Sequence, residues 1–158
     1  MSRIILALLM TFSWIGLAEA VTLTFKAQYI DREPLDLGSP GSSLGDTVPG
    51  NGSLLDLQGN VIGSFEVSAT VTHKKADSEV RWVHAEYAFG DGQDSINIEG
   101  AEEFLTPTGS PALNRPLHYA VSGGTGRYAG ARGECLVKRI ADNDFITTCK
   151  FRTIRIRF

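Results

Sequence analysis

The chain has 158 residues, a formal net charge of -3, and no basic run of the kind that tracks a nucleic acid, so a DNA- or RNA-binding role is excluded first. Beyond the N-terminus no stretch approaches the ~18 consecutive apolar residues of a membrane-spanning helix. Glycine is in surplus, which argues for a loop-rich or β-rich chain over a helical bundle.

Residues 1–20 read as a signal peptide. Arg3 precedes an apolar run from Ile4 to Leu17, and Ala18-Glu19-Ala20 offers small residues where a signal peptidase reads. Cleavage near Ala20 leaves a domain over 21–158, about 138 residues, suited to one core. The expected location is therefore secreted or periplasmic.

Period-two alternation dominates from Val21 onward. Val21, Leu23, Phe25, Ala27 and Tyr29 alternate with polar residues, and Ser53 to Leu57 forms a shorter strand. Gln58-Gly59-Asn60 turns into the clearest strand, Val61 to Thr72, with Phe65, Val67, Ala69 and Val71 on one face. Val83, Ala85, Tyr87 and Phe89 make the next stripe, ending at Gly90-Asp91-Gly92. Ser95 to Glu99, Leu117 to Ser122, Arg132 to Ile140 and Phe145 to Phe158 complete eight strands. Two longer connections, Asp31 to Leu44 and Glu103 to Pro116, are rich in proline and glycine. Eight short antiparallel strands with one-sided apolar stripes suggest an all-β closed barrel or a sandwich.

Cys135 and Cys149 are the only cysteines, and export implies an oxidising compartment. A hairpin turning on Asp142 sets residues summing to 284 opposite each other, which pairs 135 with 149 and predicts a disulfide across the last two strands. The basic C-terminal stretch Lys150 to Arg157 splits its charges over two strand faces and reads as a solvated outer surface.

Most catalytic motifs fail on context. The Gly123 to Gly130 run lacks phosphate-loop spacing and is followed by strand-like sequence, so it reads as a structural turn. His73, His84 and His118 lack metal-ligand spacing, and no metal or other cofactor is expected. Asp46, Glu66, Glu86, Asp91, Asp94, Glu99 and Glu102 lie in or beside strands, where a carboxylate turned into an apolar barrel becomes a usable acid or base. Alternation places Glu66 on the polar face. Asn51-Gly52-Ser53 fits a glycosylation sequon.

Three blocks carry a resemblance. Leu44-Gly45-Asp46-Thr47-Val48-Pro49, then Tyr87-Ala88-Phe89-Gly90-Asp91 leading through Ile96 and Ile98 to Gly100, then Ala120 to Gly133 with Gly123-Gly124-Thr125-Gly126, occur together in an order that resembles the allene oxide cyclase and dirigent superfamily. The resemblance implies an eight-stranded antiparallel calycin-like β-barrel, often a homotrimer, enclosing a mainly apolar cavity for a small organic molecule. Anchored on Asp31-Arg32, it sets Lys26 and Gln28 at the cyclase's acid and asparagine, Glu102 at its pocket tyrosine and Ala69 near its pocket cysteine. None of the four keeps the family's residue type. The dirigent template instead sets Asp91 and Asp94 nearest the aspartates that aid proton transfer.

Two functions from different classes follow. In one, an exported barrel binds an apolar or aromatic molecule and steers its cyclisation or coupling, with Phe25, Tyr29, Phe65, Tyr87, Phe89 and Tyr119 lining the cavity. In the other, these six aromatics pack the interior solid and the protein is a non-catalytic structural or interaction barrel.

Overall fold

The computed structural model describes residues 18–106 and 108–154. The structure is all-β: β1 (Ala18–Arg32), β2 (Thr47–Leu55), β3 (Val61–Lys74), β4 (Ser78–Phe89), β5 (Asp94–Leu105), β6 (Pro116–Gly124), β7 (Arg132–Arg139) and β8 (Asp144–Ile154). Each strand pairs antiparallel with its neighbour in sequence, and β8 returns to β1, closing an up-and-down barrel with no free sheet edge. Among the described residues a single 3-10 turn, Gly126–Tyr128, stands between the strands β6 and β7.

The alternation read from the sequence sets which residues face inward. On β4 the buried positions are Ser78, Glu79, Arg81, Val83, Ala85, Tyr87 and Phe89, while Trp82, His84 and Glu86 point out. The last hairpin has the expected register, Arg139 opposite Phe145 and Cys135 opposite Cys149, and the two cysteines form a buried disulfide. Lys150 and Arg152 face solvent between buried Phe151 and Thr153. The C-terminal arginines at 155 and 157 lie outside the described residues, as does the leader through residue 17. Ala18 to Ala20 extend β1 and pair with Ile154 to Arg152 of β8.

Several strands run further than expected. β2 begins at Thr47 rather than Ser53, because Pro49 lies beyond the last β1–β2 pair, Arg32 with Gly50, where its missing N–H breaks no ladder bond on that side. β5 continues from Glu99 to Leu105 through a carboxylate-rich stretch, and β4 begins at Ser78 rather than Val83. The connection expected over Glu103 to Pro116 shortens to residues 106–115 as a result.

Height along the barrel matters as much as facing. At one end lie the start of β1, the end of β4 and the end of β8. There Phe25 meets Phe89 edge-on at 5.5 Å, Phe89 meets Tyr128 at 5.6 Å and Tyr128 meets Phe151 at 5.6 Å. This aromatic plug fills the barrel base. Tyr128 arrives from the glycine-rich block, whose tight turn needs Gly126 at φ 53°; a Cβ there would collide with Asp94 Oδ1 and Gln93 O.

Candidate functional site

The opposite end is open. A cavity of about 60 Å³ enters the barrel between the starts of β2, β4, β6 and β8 and the ends of β1, β3, β5 and β7. That is room for roughly four to six waters, less than half of the ~150 Å³ of an apolar cavity that holds benzene, so a ring would have to occupy the chamber's open mouth as well. Its walls are mainly apolar, with Ala69, Val83, Ala85, Ile98, Phe104 and Val137 among them. Tyr29, Tyr87 and Tyr119 also line it, and Tyr29 packs edge-on against Phe65 and Phe145 at 5.0 and 5.5 Å.

All three tyrosine hydroxyls are shifted, first of all by burial. Burial pushes Tyr29 up to about 12, against the opposing pull of Arg32 and Arg81. Burial raises Tyr87 and Tyr119 further, and each is raised again by a neighbouring tyrosine. All three therefore stay protonated at neutral pH and serve as hydrogen-bond donors, not bases. Beneath them Thr147 Oγ1 is wholly buried; it lies close enough to lower Tyr87 slightly but makes no hydrogen bond of standard geometry.

At the neck sits a buried ion pair. Glu79 and Arg81 are only 1% and 8% exposed, and Arg81 Nε donates to Glu79 Oε1 at 2.6 Å. The Ser42 hydroxyl donates to Glu79 Oε2, and the Arg81 guanidinium stacks over the Phe104 ring at 4.9 Å. Above this pair a vestibule of about 260 Å³ is bounded by the β1–β2 connection, with Pro34, Leu35, Asp36 and Ser42, and by Thr108 and Gly109. Asp46 pins that connection by accepting from the N–H groups of Leu37 (2.9 Å) and Ser43 (2.6 Å). These bonds, led by Leu37, hold its carboxyl below the usual carboxylate range.

Of the six aromatics expected in the cavity, Tyr29, Phe65, Tyr87 and Tyr119 line it. Phe25 and Phe89 do not, because they stand lower on the same faces and belong to the plug. Asp91 and Asp94 are also displaced from the site, at the closed end. Asp91 is exposed and caps its own turn by accepting from Gln93 N, while Asp94 accepts from Arg127 N at 2.8 Å and pairs with Arg127 Nε at 2.7 Å. Asp94 thus clamps the turn that delivers Tyr128. Glu66 and Glu86 face solvent opposite each other, and Glu99 is half-buried outside the cavity.

Among the cyclase-derived positions, Ala69 alone lines the cavity, Lys26 and Gln28 lie on the outward face of β1, and Glu102 bridges β5 to β6. Glu79, Arg81 and Arg32 escaped the sequence reading. The first two share the parity of Val83, Ala85 and Tyr87, so extending that stripe by two steps would have placed them inside. Among the described residues no cluster of His, Cys, Asp and Glu could hold a metal ion.

The description "Allene oxide cyclase barrel like domain" matches residues 21–148. Similar solved structures include a pyocyanin demethylase, 24% identical with a TM-score of 0.68, covering 83% of this chain and 99% of that one. Another is the pterocarpan synthase dirigent protein GePTS1, 16% identical, TM-score 0.64, with 94% and 96% covered. The Diels–Alderase AbmU from Streptomyces koyangensis is 15% identical, TM-score 0.64, with 90% and 71% covered. These likenesses show the fold. No curated protein matches the chain.

Proposed function

The chain belongs to the allene oxide cyclase barrel-like family, and on that premise we propose that it is an exported barrel that binds one small apolar or aromatic molecule and steers its cyclisation or coupling. The observation that carries this reading is the apolar chamber faced by three protonated tyrosines. Its lining includes no carboxylate among the described residues, so the chamber offers shape and hydrogen-bond donation rather than proton abstraction. Steering a reactive molecule into one folded geometry needs only those two things. Similar barrels bear names of reactions on small molecules: a demethylase, a pterocarpan synthase and a Diels–Alderase.

Mass spectrometry of protein purified from its native host tests the reading. A small molecule released on denaturation, and absent after refolding, supports it. Ligand-free protein that takes up no aromatic probe favours a non-catalytic barrel, a reading to which the packed base and the modest chamber volume lend some weight.

Export is supported by the buried Cys135–Cys149 disulfide, which suits an oxidising compartment. N-terminal sequencing of the exported chain should begin near Val21, the residue paired with Phe151. Intracellular chain with intact leader and reduced cysteines would overturn it. A homotrimer rests on the family resemblance, and light scattering at three times the chain mass is the expected result.

A further inference from the structure

The chamber is lined by two guanidiniums, Arg32 and Arg81, whose charges are unequally available. Arg81 is held by Glu79. Arg32 stands half-buried where the chamber, the vestibule and a shallow outer groove meet, its guanidinium over the Tyr29 ring at 5.7 Å. Among the described residues it forms no ion pair. Asp31, Glu33 and Glu66 share the outer groove with it, and Asp36, Asp46 and Glu79 the vestibule, yet none forms an ion pair with it. Asp46 is already engaged by Leu37 and Ser43, and Asp36 accepts from Gly41 N.

A cation without a counter-ion beside an apolar chamber fits an anion that arrives with the ligand. Charge and apolar surface then meet at one point, the neck. The chamber and the roomier vestibule share Arg32, Val48, Arg81 and Gly109, so a ring at the neck can reach into the chamber, where Tyr29 and Phe65 pack edge to face.

Resting on the small-molecule reading above, we propose that the ligand is a compact aromatic monoanion of the benzoate class, its ring spanning the vestibule and the chamber's mouth and its carboxylate paired with Arg32 at the neck. Arg81, already neutralised, positions the wall through Phe104 and is not the anion site. The tyrosine hydroxyls deeper in the chamber face the substituents at the far side of the ring.

Benzoate, benzamide and benzamidine share one shape and carry charges of -1, 0 and +1, which separates the two readings by titration calorimetry. The expected order is benzoate first, benzamide weaker by about tenfold or more, and benzamidine weakest. Arg32→Gln should bring benzoate down to the level of benzamide, with circular dichroism checking that the variant is folded, and Arg32→Lys should retain most of the preference. Equal binding of all three probes overturns the anion proposal and leaves the small-molecule reading standing. A benzoate preference that survives Arg32→Gln assigns the anion to Arg81 and overturns the role of Arg32. No binding of any probe overturns the benzoate-class proposal and leaves the small-molecule reading to the mass-spectrometric test.

Discussion

The two ends of this barrel are built from the same alternation and do opposite things. At the base, Phe25, Phe89, Tyr128 and Phe151 interlock edge to face, whereas at the mouth Ala27, Ala69, Ala85 and Gly109 keep the wall thin around three tyrosines. Small residues on inward positions make the chamber, and large ones close it. The closed end supplies rigidity and the open end supplies chemistry, within one continuous set of strands.

Alkaline titration should expose the open end most strongly. Unfolded tyrosines lose their protons near pH 10, while Tyr29 holds its own to about 12 and Tyr87 and Tyr119 beyond that. Above pH 10 the unfolded state therefore binds fewer protons than the folded one, so stability is intact below pH 10 and falls as pH rises through 12. Tyr29 alone contributes about 3 kcal/mol of that loss. Cooperative unfolding between pH 10 and 12, followed by circular dichroism and tyrosine absorbance together, is the expected result.

Phe25→Ala attacks the closed end and should cost about 3–5 kcal/mol in denaturant unfolding, against less than about 1 kcal/mol for Tyr119→Phe in the chamber. Similar costs for both would erase the distinction. Removing the disulfide by Cys135→Ser with Cys149→Ser should lower stability by about 3 kcal/mol in denaturant unfolding, although Cys135 lies opposite the chamber residue Tyr119. Asp94→Ala should cost about 1 kcal/mol by loosening the Tyr128 turn, with no effect on bound ligand; lost turnover there would return Asp94 to the chemistry. The smallest effect is at Thr147, whose unpartnered hydroxyl makes Thr147→Val neutral or stabilising by up to about 1 kcal/mol.

Facing was legible in the sequence, and height was not. Period two assigns Phe25, Phe89, Tyr29 and Tyr87 to the inside with equal force. Which of them stand at the base depends on the stagger between neighbouring strands, which alternation does not encode. Asp91 and Asp94 were misplaced for the same reason: both adjoin a strand with cavity residues, but at its other end. The register of the last hairpin could be read because two cysteines fixed it independently of the turn. Glu79 and Arg81 were overlooked because a charged pair interrupts the apolar pattern by which inward stripes are recognised. Their burial becomes tolerable only through each other and Ser42, which comes from a connection 37 residues away from Glu79.

One seam of the barrel differs from the other seven. Ladder pairing between β5 and β6 ends at Glu99 and Ala120. Toward the mouth, the Glu102 carboxylate takes up the N–H of His118 at 2.6 Å, while Arg115 reaches Glu102 at 2.9 Å and the Glu103 carbonyl at 2.8 Å. A ladder fixes the distance between strands; a bridge of rotatable side chains only limits it. In mechanical terms the molecule is a hoop riveted at mid-height by a disulfide and laced at its rim, so load on the rim falls first on the lacing while the rivet holds the girth below it.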